Sequence, residues 1–302
     1  MTKTSHSLGH SIAKEFYENW IRPYVRDGFP EIADRAAAVL VSNSQSLAND
    51  DELSKDHGWG PTLTLLLHGS DMRSSGRRLR HAIQRDVPRE WSGEQYKGDT
   101  EDQVEVISID AWFRREIGVV KRPRAREGWR RTRQTHLYML RHSIVFDDSL
   151  GDFTERKSSF HFYPRDVWLS EVGSQLLMVW HHGQYNYVRR LAKRDDFVTA
   201  TICLSHFVQA VMRLCMLLNL DYAPYWKWLP TEFRKQSNVA ELDGMLTRLL
   251  RRIETDERVR LVLDISRDVF HRLASHQLGF EVSIEDPNSL ATIHDIMEGE
   301  NS

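Results

Sequence analysis

The chain's sequence predicts an α+β protein: an N-terminal domain built on a small mixed sheet, followed by a C-terminal helical bundle. Short apolar runs alternate with amphipathic stretches in the first half, whereas from Asp166 onward long helical segments follow one another with short polar or Pro-containing turns. The length, 302 residues, fits two domains at roughly 150 residues each. The boundaries read as 1–160 for the mixed domain and 161–285 for the bundle, with 286–302 a polar tail expected to fray.

Ile12, Phe16, Trp20 and Ile21 recur at helical spacing after Ser11 and predict an opening amphipathic helix whose last turns Pro23 weakens. Ala38–Val41 reads as a buried strand. The polar segment 43–59 follows, and after Gly60-Pro61 the run Thr62–Leu67 reads as a second strand. A charged helix is predicted over Asp71–Arg85, a third strand over Val104–Ile109 and helices over Ala111–Ile117 and Thr135–His142. Ile144–Phe153 reads as a hairpin turning at Asp147-Asp148 and Gly151. The bundle helices are expected over Val167–Leu191, Phe197–Leu220, Val239–Glu254 and Arg258–Leu278.

Hydrophobic residues make up 40% and charged residues 28% of the chain, which excludes global disorder. The greasiest stretches, Leu63–Leu67 and Leu214–Leu220, fall short of the roughly 18 residues of a bilayer span, so no membrane partner is expected. Met1–His10 lacks the apolar core of a secretory signal, which makes a cytoplasmic location the expectation. Cys203 and Cys215, if on one helix, lie roughly 18 Å apart and read as reduced core residues. Basic and acidic residues number 41 and 43, a balance that counts against a dedicated nucleic-acid-coating protein. The cluster Lys121–Arg133 leaves room for a local anionic partner or an RNA contact, beside its plainer reading as a solvated loop.

The chemistry-bearing layout is Val41-Ser-Asn-Ser44, a loop of about a dozen residues, then Asp56-His-Gly-Trp-Gly-Pro61 leading into the second strand. A small-residue turn can hold a triphosphate with its N–H groups and hydroxyl, while carboxylates on the adjoining strand hold Mg²⁺. Asn49-Asp-Asp-Glu-Leu-Ser-Lys-Asp-His-Gly-Trp-Gly-Pro61 resembles the signature of an uncharacterised bacterial and fungal family of nucleotidyltransferase-like proteins. Tyr163-Pro-Arg-Asp-Val-Trp-Leu169, Met212-Arg-Leu214, Tyr222-Ala-Pro-Tyr-Trp-Lys-Trp-Leu229 and His276-Gln-Leu-Gly279 look like the same family's later motifs, in order.

What the resemblance implies is a nucleotidyltransferase fold joined to a bundle similar to that of aminoglycoside nucleotidyltransferases. The implied activity is Mg²⁺- or Mn²⁺-dependent transfer of a nucleoside monophosphate from an NTP to an unidentified small molecule, protein or RNA. A catalytically weakened nucleotide-binding regulator of the same fold is the alternative. Asn43 and Ser44 would hold phosphate and Asp56 the metal, with Lys227 and Arg213 as nucleotide contacts from the bundle. The second and third carboxylates are the difficulty. Gly58 stands where a partner for Asp56 at i+2 is expected, so Asp51, Glu52 or His57 would have to compensate. Glu105 is favoured as the acid from the neighbouring strand because a carboxylate in an apolar strand needs a reason. Asp110 is the other candidate, and it also reads as a helix N-cap. His57 reads as a hydrogen-bonding residue, and His181 and His182, being adjacent, lack the spacing of a zinc pair. Arg213, amid apolar neighbours, needs an acidic partner or a substrate.

Overall fold

A computed structural model describes residues 8–41, 44–55, 58–251 and 253–276. The chain divides into two compact units, Met1–His161 and Phe162–Ser302. The first is mixed α and β; the described part of the second is helical.

The first unit opens with helix over 8–28, in which Leu8–Phe16 and Arg22–Gly28 are joined by a wider i→i+5 turn at Tyr17–Ile21. Pro23 does not fray this helix. It sits in the first turn after the wide turn, where its missing N–H costs least. The buried face carries Ile12, Phe16, Ile21 and Val25.

A four-stranded sheet runs in the order β5-β2-β1-β6. β1 (Ala37–Leu40) is antiparallel to β2 (Leu63–Leu67) and to β6 (Ile144–Asp147), while β5 (Val104–Ser108) runs parallel to β2. The register pairs Val39 with Thr64 and Leu63 with Val104. The β2-to-β5 connection climbs through helical turns at Gly69–Asp71 and Met72–Gly76 into the helix Arg77–Asp86, then through the small hairpin β3 (Glu90–Trp91) and β4 (Glu94–Gln95). Leu79 and Ile83 of that helix pack with Leu63, Leu65, Leu67, Val104 and Val106 in one core. Alternation along β2 and β5 therefore sends Thr64 and Glu105 to the other face.

The hairpin expected at Ile144–Phe153 does not form. Ile144–Asp147 is one strand, added to β1 with a bulge at Ala38/Val39, and a helix over Asp152–Ser159 follows. Two interactions outweigh the turn chemistry: the Asp148 carboxylate accepts the Thr154 N–H at 2.7 Å, and Phe153 is fully buried against Phe113 and Trp112. Gly151, at φ +73°, makes the turn into the helix.

In the second unit the expected first bundle helix divides into Arg165–Trp180, an i→i+5 stretch His181–Val188 and a short turn Leu191–Lys193. Phe197–Leu218, Ala240–Leu249 and Thr255–Ser275 complete the long helices, with Leu229–Arg234 between them. The Trp168 indole N–H bonds the Leu217 carbonyl at 2.8 Å and ties the first helix to the second. Gly183 comes so close to Phe207 that a Cβ there would lie 2.7 Å from the ring.

One helix is apolar over a greater length than the runs Leu63–Leu67 and Leu214–Leu220. Phe197–Leu218, 22 residues, is by length and composition apolar enough to cross a bilayer, because one Arg213 does not outweigh the Leu, Val, Met and Cys around it. About two thirds of its most apolar stretch is buried within the bundle, as a core helix's would be. Cys203 and Cys215 both lie on it, buried and free, and burial pushes the Cys215 thiol up to about 12.

Candidate functional site

The sheet topology decides which predicted residues meet. Because β1 is antiparallel to β2 and β5 is parallel to β2, the C-terminal end of β1 and the N-terminal ends of β2 and β5 lie along the same edge of the sheet. Ser44 follows β1 by four residues, Gly58–Trp59 precede β2, and Glu105 is the second residue of β5. These three share one end. Asn43, Asp56 and His57 lie outside the described residues. Asp110 stands at the opposite end, beyond the last residue of β5, separated from Glu105 by roughly 10 Å of strand and a helical turn.

The loop joining β1 to β2 is fastened to the opening helix. The half-buried turn at Ser44 closes with the Asn49 N–H on the Ser44 carbonyl at 2.9 Å. Gln45 beside it is 1% exposed, and its amide donates to the carbonyls of Gly9 at 3.2 Å and Gly60 at 3.0 Å. Asp50 accepts the Gly9 N–H at 2.7 Å and the Trp59 indole N–H at 3.4 Å. Trp59 is fully buried, with the Lys55 ammonium 4.7 Å above its ring. A Trp59–Lys97 backbone bridge and the Gly58 N–H on the Lys97 carbonyl hold the far end.

The acids in this loop are occupied. Asp51 caps the turn Glu52–Ser54, accepting the Ser54 N–H at 2.9 Å and hydroxyl at 2.7 Å. Glu52, largely exposed, pairs with Lys55 at 3.0 Å. Gly58 has φ +61° and lies in a bend outside β2, which begins at Leu63, so it is not a strand residue. A left-handed residue interrupts the alternation that would aim positions 56 and 58 to one face.

Glu105 is held by Arg115, from the helix Ile109–Glu116, through both carboxylate oxygens; the Nη2–Oε2 contact is 2.9 Å. Arg115 also bonds Glu116 at 2.6 Å, and these two acids raise its guanidinium above the ordinary value, led by the bond to Glu105. Asp110 is not the N-cap. Ser108 takes that role with its hydroxyl on the Ala111 N–H at 3.2 Å, and Asp110 pairs with Arg156 at 2.6 Å. Arg156 continues to Asp152 at 2.8 Å, whose other oxygen lies 3.7 Å from His68.

Of the expected metal ligands Asp56, Glu105 and Asp110, Glu105 is the one described at the Ser44 end; it is bonded to a guanidinium, and the loop acids Asp51 and Glu52 are paired as well. That donor set alone does not fit Mg²⁺, which demands several oxygens in near-octahedral array.

In the second unit, Arg213 lies half-buried on Phe197–Leu218, and Glu171 on Arg165–Trp180 is the acid that offsets it. Burial lowers the Arg213 guanidinium and raises the Glu171 carboxyl, and each charge partly restores the other. Lys227 is exposed, 5.0 Å over the Trp228 ring. Its aromatic run divides: Tyr222 is fully buried against Phe162 and Tyr163, whereas Tyr225 and Trp226 stand 47% and 60% exposed rather than packed. The Arg residues between 121 and 133, the half-buried Arg126 excepted, are exposed around a buried Trp129. Gln45 and Arg115 carry no motif, Asp50 lies within the Asn49–Pro61 segment, and nothing in their local sequence marks the three as the pins of this end.

Residues 129–229, a third of the chain, match the model of a family described as a domain of unknown function (DUF4037). The matched span contains the Tyr163 to Leu169 and Tyr222 to Leu229 segments and excludes the Asp56 to Pro61 segment. The crystal structure of a nucleotidyltransferase-like protein from Exiguobacterium sibiricum 255-15 is similar at 13% identity and a TM-score of 0.43, over 93% of this chain and 81% of that one. No curated protein matches the chain.

Proposed function

We propose that the chain is a nucleotidyltransferase-like protein that binds a nucleoside triphosphate at the Ser44 end of its sheet. The observation that carries this reading is the convergence there of the Ser44 turn, the Gly58–Trp59 bend and Glu105, on a loop pinned by Gln45 and Asp50. In this reading Ser44, with Asn43, receives phosphate oxygens, and Asp56 supplies the carboxylate for Mg²⁺ or Mn²⁺. The full activity is transfer of a nucleoside monophosphate to an unidentified acceptor.

The pairing of Glu105 with Arg115, together with Gly58 at φ +61°, favours the second reading, a nucleotide-binding regulator with weakened transfer chemistry. Calorimetry with each NTP, with and without Mg²⁺, tests the binding. Metal-dependent binding that is lost in folded Asp56→Asn is the expected result, and no binding at millimolar NTP sinks both readings. Labelled NTP incubated with Mn²⁺ and cell extract separates them: labelled product supports the transferase, and binding without product supports the regulator.

A further inference from the structure

An open groove of about 1150 Å³ lies in the first unit between the C-terminal end of the opening helix, at Gly28–Phe29, and the helical stretch from Met72 to Arg85. Five arginines line it, Arg73, Arg77, Arg78, Arg80 and Arg85, with His81 among them. The neighbouring acids are already committed. Glu31 binds Arg78 at 2.9 Å and the Ser75 hydroxyl at 2.7 Å, Asp86 binds Arg85 at 2.8 Å, and Asp71 binds Arg35 at 3.0 Å. Arg80 spends one guanidinium nitrogen on the Val106 carbonyl at 2.7 Å. The side chains of Arg73, Arg77 and His81 have no hydrogen bond or ion pair among the described residues, and both arginines are exposed.

This arrangement disfavours the free helix. Arg73, Arg77 and Arg80 follow one another at about a turn's spacing, and like charges at that spacing repel one another. The apolar positions Leu79 and Ile83 secure the opposite face to the core, so packing does not require arginine on this one.

We propose that this groove binds the phosphate backbone of a single nucleic-acid strand. The row from Arg73 to His81 spans roughly 12 Å at ~1.5 Å per residue, so its cations form a line and do not converge on one point. A lone phosphate is best held by guanidiniums that converge; a line of them suits a line of phosphates. The groove is open and exceeds the roughly 300–1,000 Å³ of an ordinary small-molecule pocket. No base-reading pattern accompanies it, so the binding is independent of sequence. The site is separate from the NTP reading, since neither Ser44 nor Glu105 lines the groove.

The test is fluorescence anisotropy of a labelled twelve-residue oligouridylate across a salt series. With about three phosphates contacted, log K falls against log salt with a slope near −2, at about −0.7 per contact. From 50 to 200 mM salt the affinity then drops roughly fifteen- to twenty-fold. The double variant R73Q/R77Q flattens the slope to about −0.7, R73K/R77K keeps it, and K121Q/R124Q in the other basic cluster leaves it unchanged. Both arginines are exposed, and matching thermal melts check that the variants fold. Absence of binding at about 50 mM salt overturns the proposal, as does a slope that responds to K121Q/R124Q and not to R73Q/R77Q. Displacement of the oligonucleotide by inorganic pyrophosphate at equal phosphate concentration also overturns it, because a single-anion site suffices for that.

Discussion

Replacing Gly58 with aspartate asks whether this position is a vacant place in a metal site or a backbone requirement. A Cβ at Gly58 meets nothing within 4 Å, so the variant suffers no steric clash. The residue sits at φ +61°, where a side chain costs about 1–2 kcal/mol, with Asp toward the lower end of that range. For a unit of 161 residues, about 1 kcal/mol corresponds to a fall of roughly 2–4 °C in Tm. Were the new carboxylate a working ligand, Mg²⁺ at about 100 times its Kd would add ~2.7 kcal/mol, raising Tm by roughly 5–10 °C. Differential scanning calorimetry of wild type and Gly58→Asp, each with and without 10 mM Mg²⁺ (a concentration of about that order suffices for weak carboxylate sites), distinguishes the two. We expect the variant to melt lower by a similar amount in both buffers. A Mg²⁺-dependent rise larger than the wild type's would refute the reasoning, because it would show that the left-handed bend still presents positions 56 and 58 to one ion.

Arg115→Met should release the Glu105 carboxylate at little cost in stability, about 0–1 kcal/mol for a pair whose side chains are 49% and 31% exposed, and calorimetry should then show tighter Mg²⁺-dependent NTP binding; unchanged binding would remove Glu105 from the site. Gly183→Ala should destabilise the chain by about 1–3 kcal/mol, read by a denaturant melt, because the new methyl meets Phe207 at 2.7 Å and Val262 at 3.2 Å; an unaltered midpoint would mean the bundle is looser than its contacts. His182 is lowered by burial, then by His181 and by His206, whose ring lies 5.0 Å away. The unfolded chain therefore takes up a proton before the folded one, so this residue's contribution to stability is present above about pH 6.5 and is lost as pH falls below it. Urea midpoints measured from pH 8 to pH 5 should decline less in His182→Asn than in wild type, and parallel declines would refute the assignment.

Periodicity sufficed wherever a segment's burial is set by its own residues. Phe16 and Ile21, Leu63–Leu67 and the alternation of Val104 and Val106 announce a helix and two strands because the side chains that need burying are spaced by the element's own repeat. The Ser44 turn and the Asp56 segment were legible as a candidate site for a related reason: small residues and acids at close spacing are local facts. Resemblance, and not periodicity, supplied their chemistry.

Pairing was settled elsewhere. Ile144–Phe153 holds a strand, a capped turn and the start of a helix, and turn residues alone favour a hairpin; Phe153 joins a helix because a pocket between Phe113 and Trp112 exists only after the chain has folded. Glu105 and Asp110 are five residues apart and equivalent on paper. The parallel register with β2 puts Glu105 at the Ser44 end and Asp110 at the other, and Arg115 and Arg156, ten and 46 residues from their respective partners, occupy both carboxylates. Gln45 and Asp50 become structural pins because the opening helix brings the Gly9 backbone to them. The sequence by itself determined which segments could bury apolar faces and which turn carries small residues and acids. Which acids remain free, and which arginines are left without a counter-charge, only the tertiary structure decided, because an ion pair depends on where two distant segments meet and no local repeat encodes that meeting.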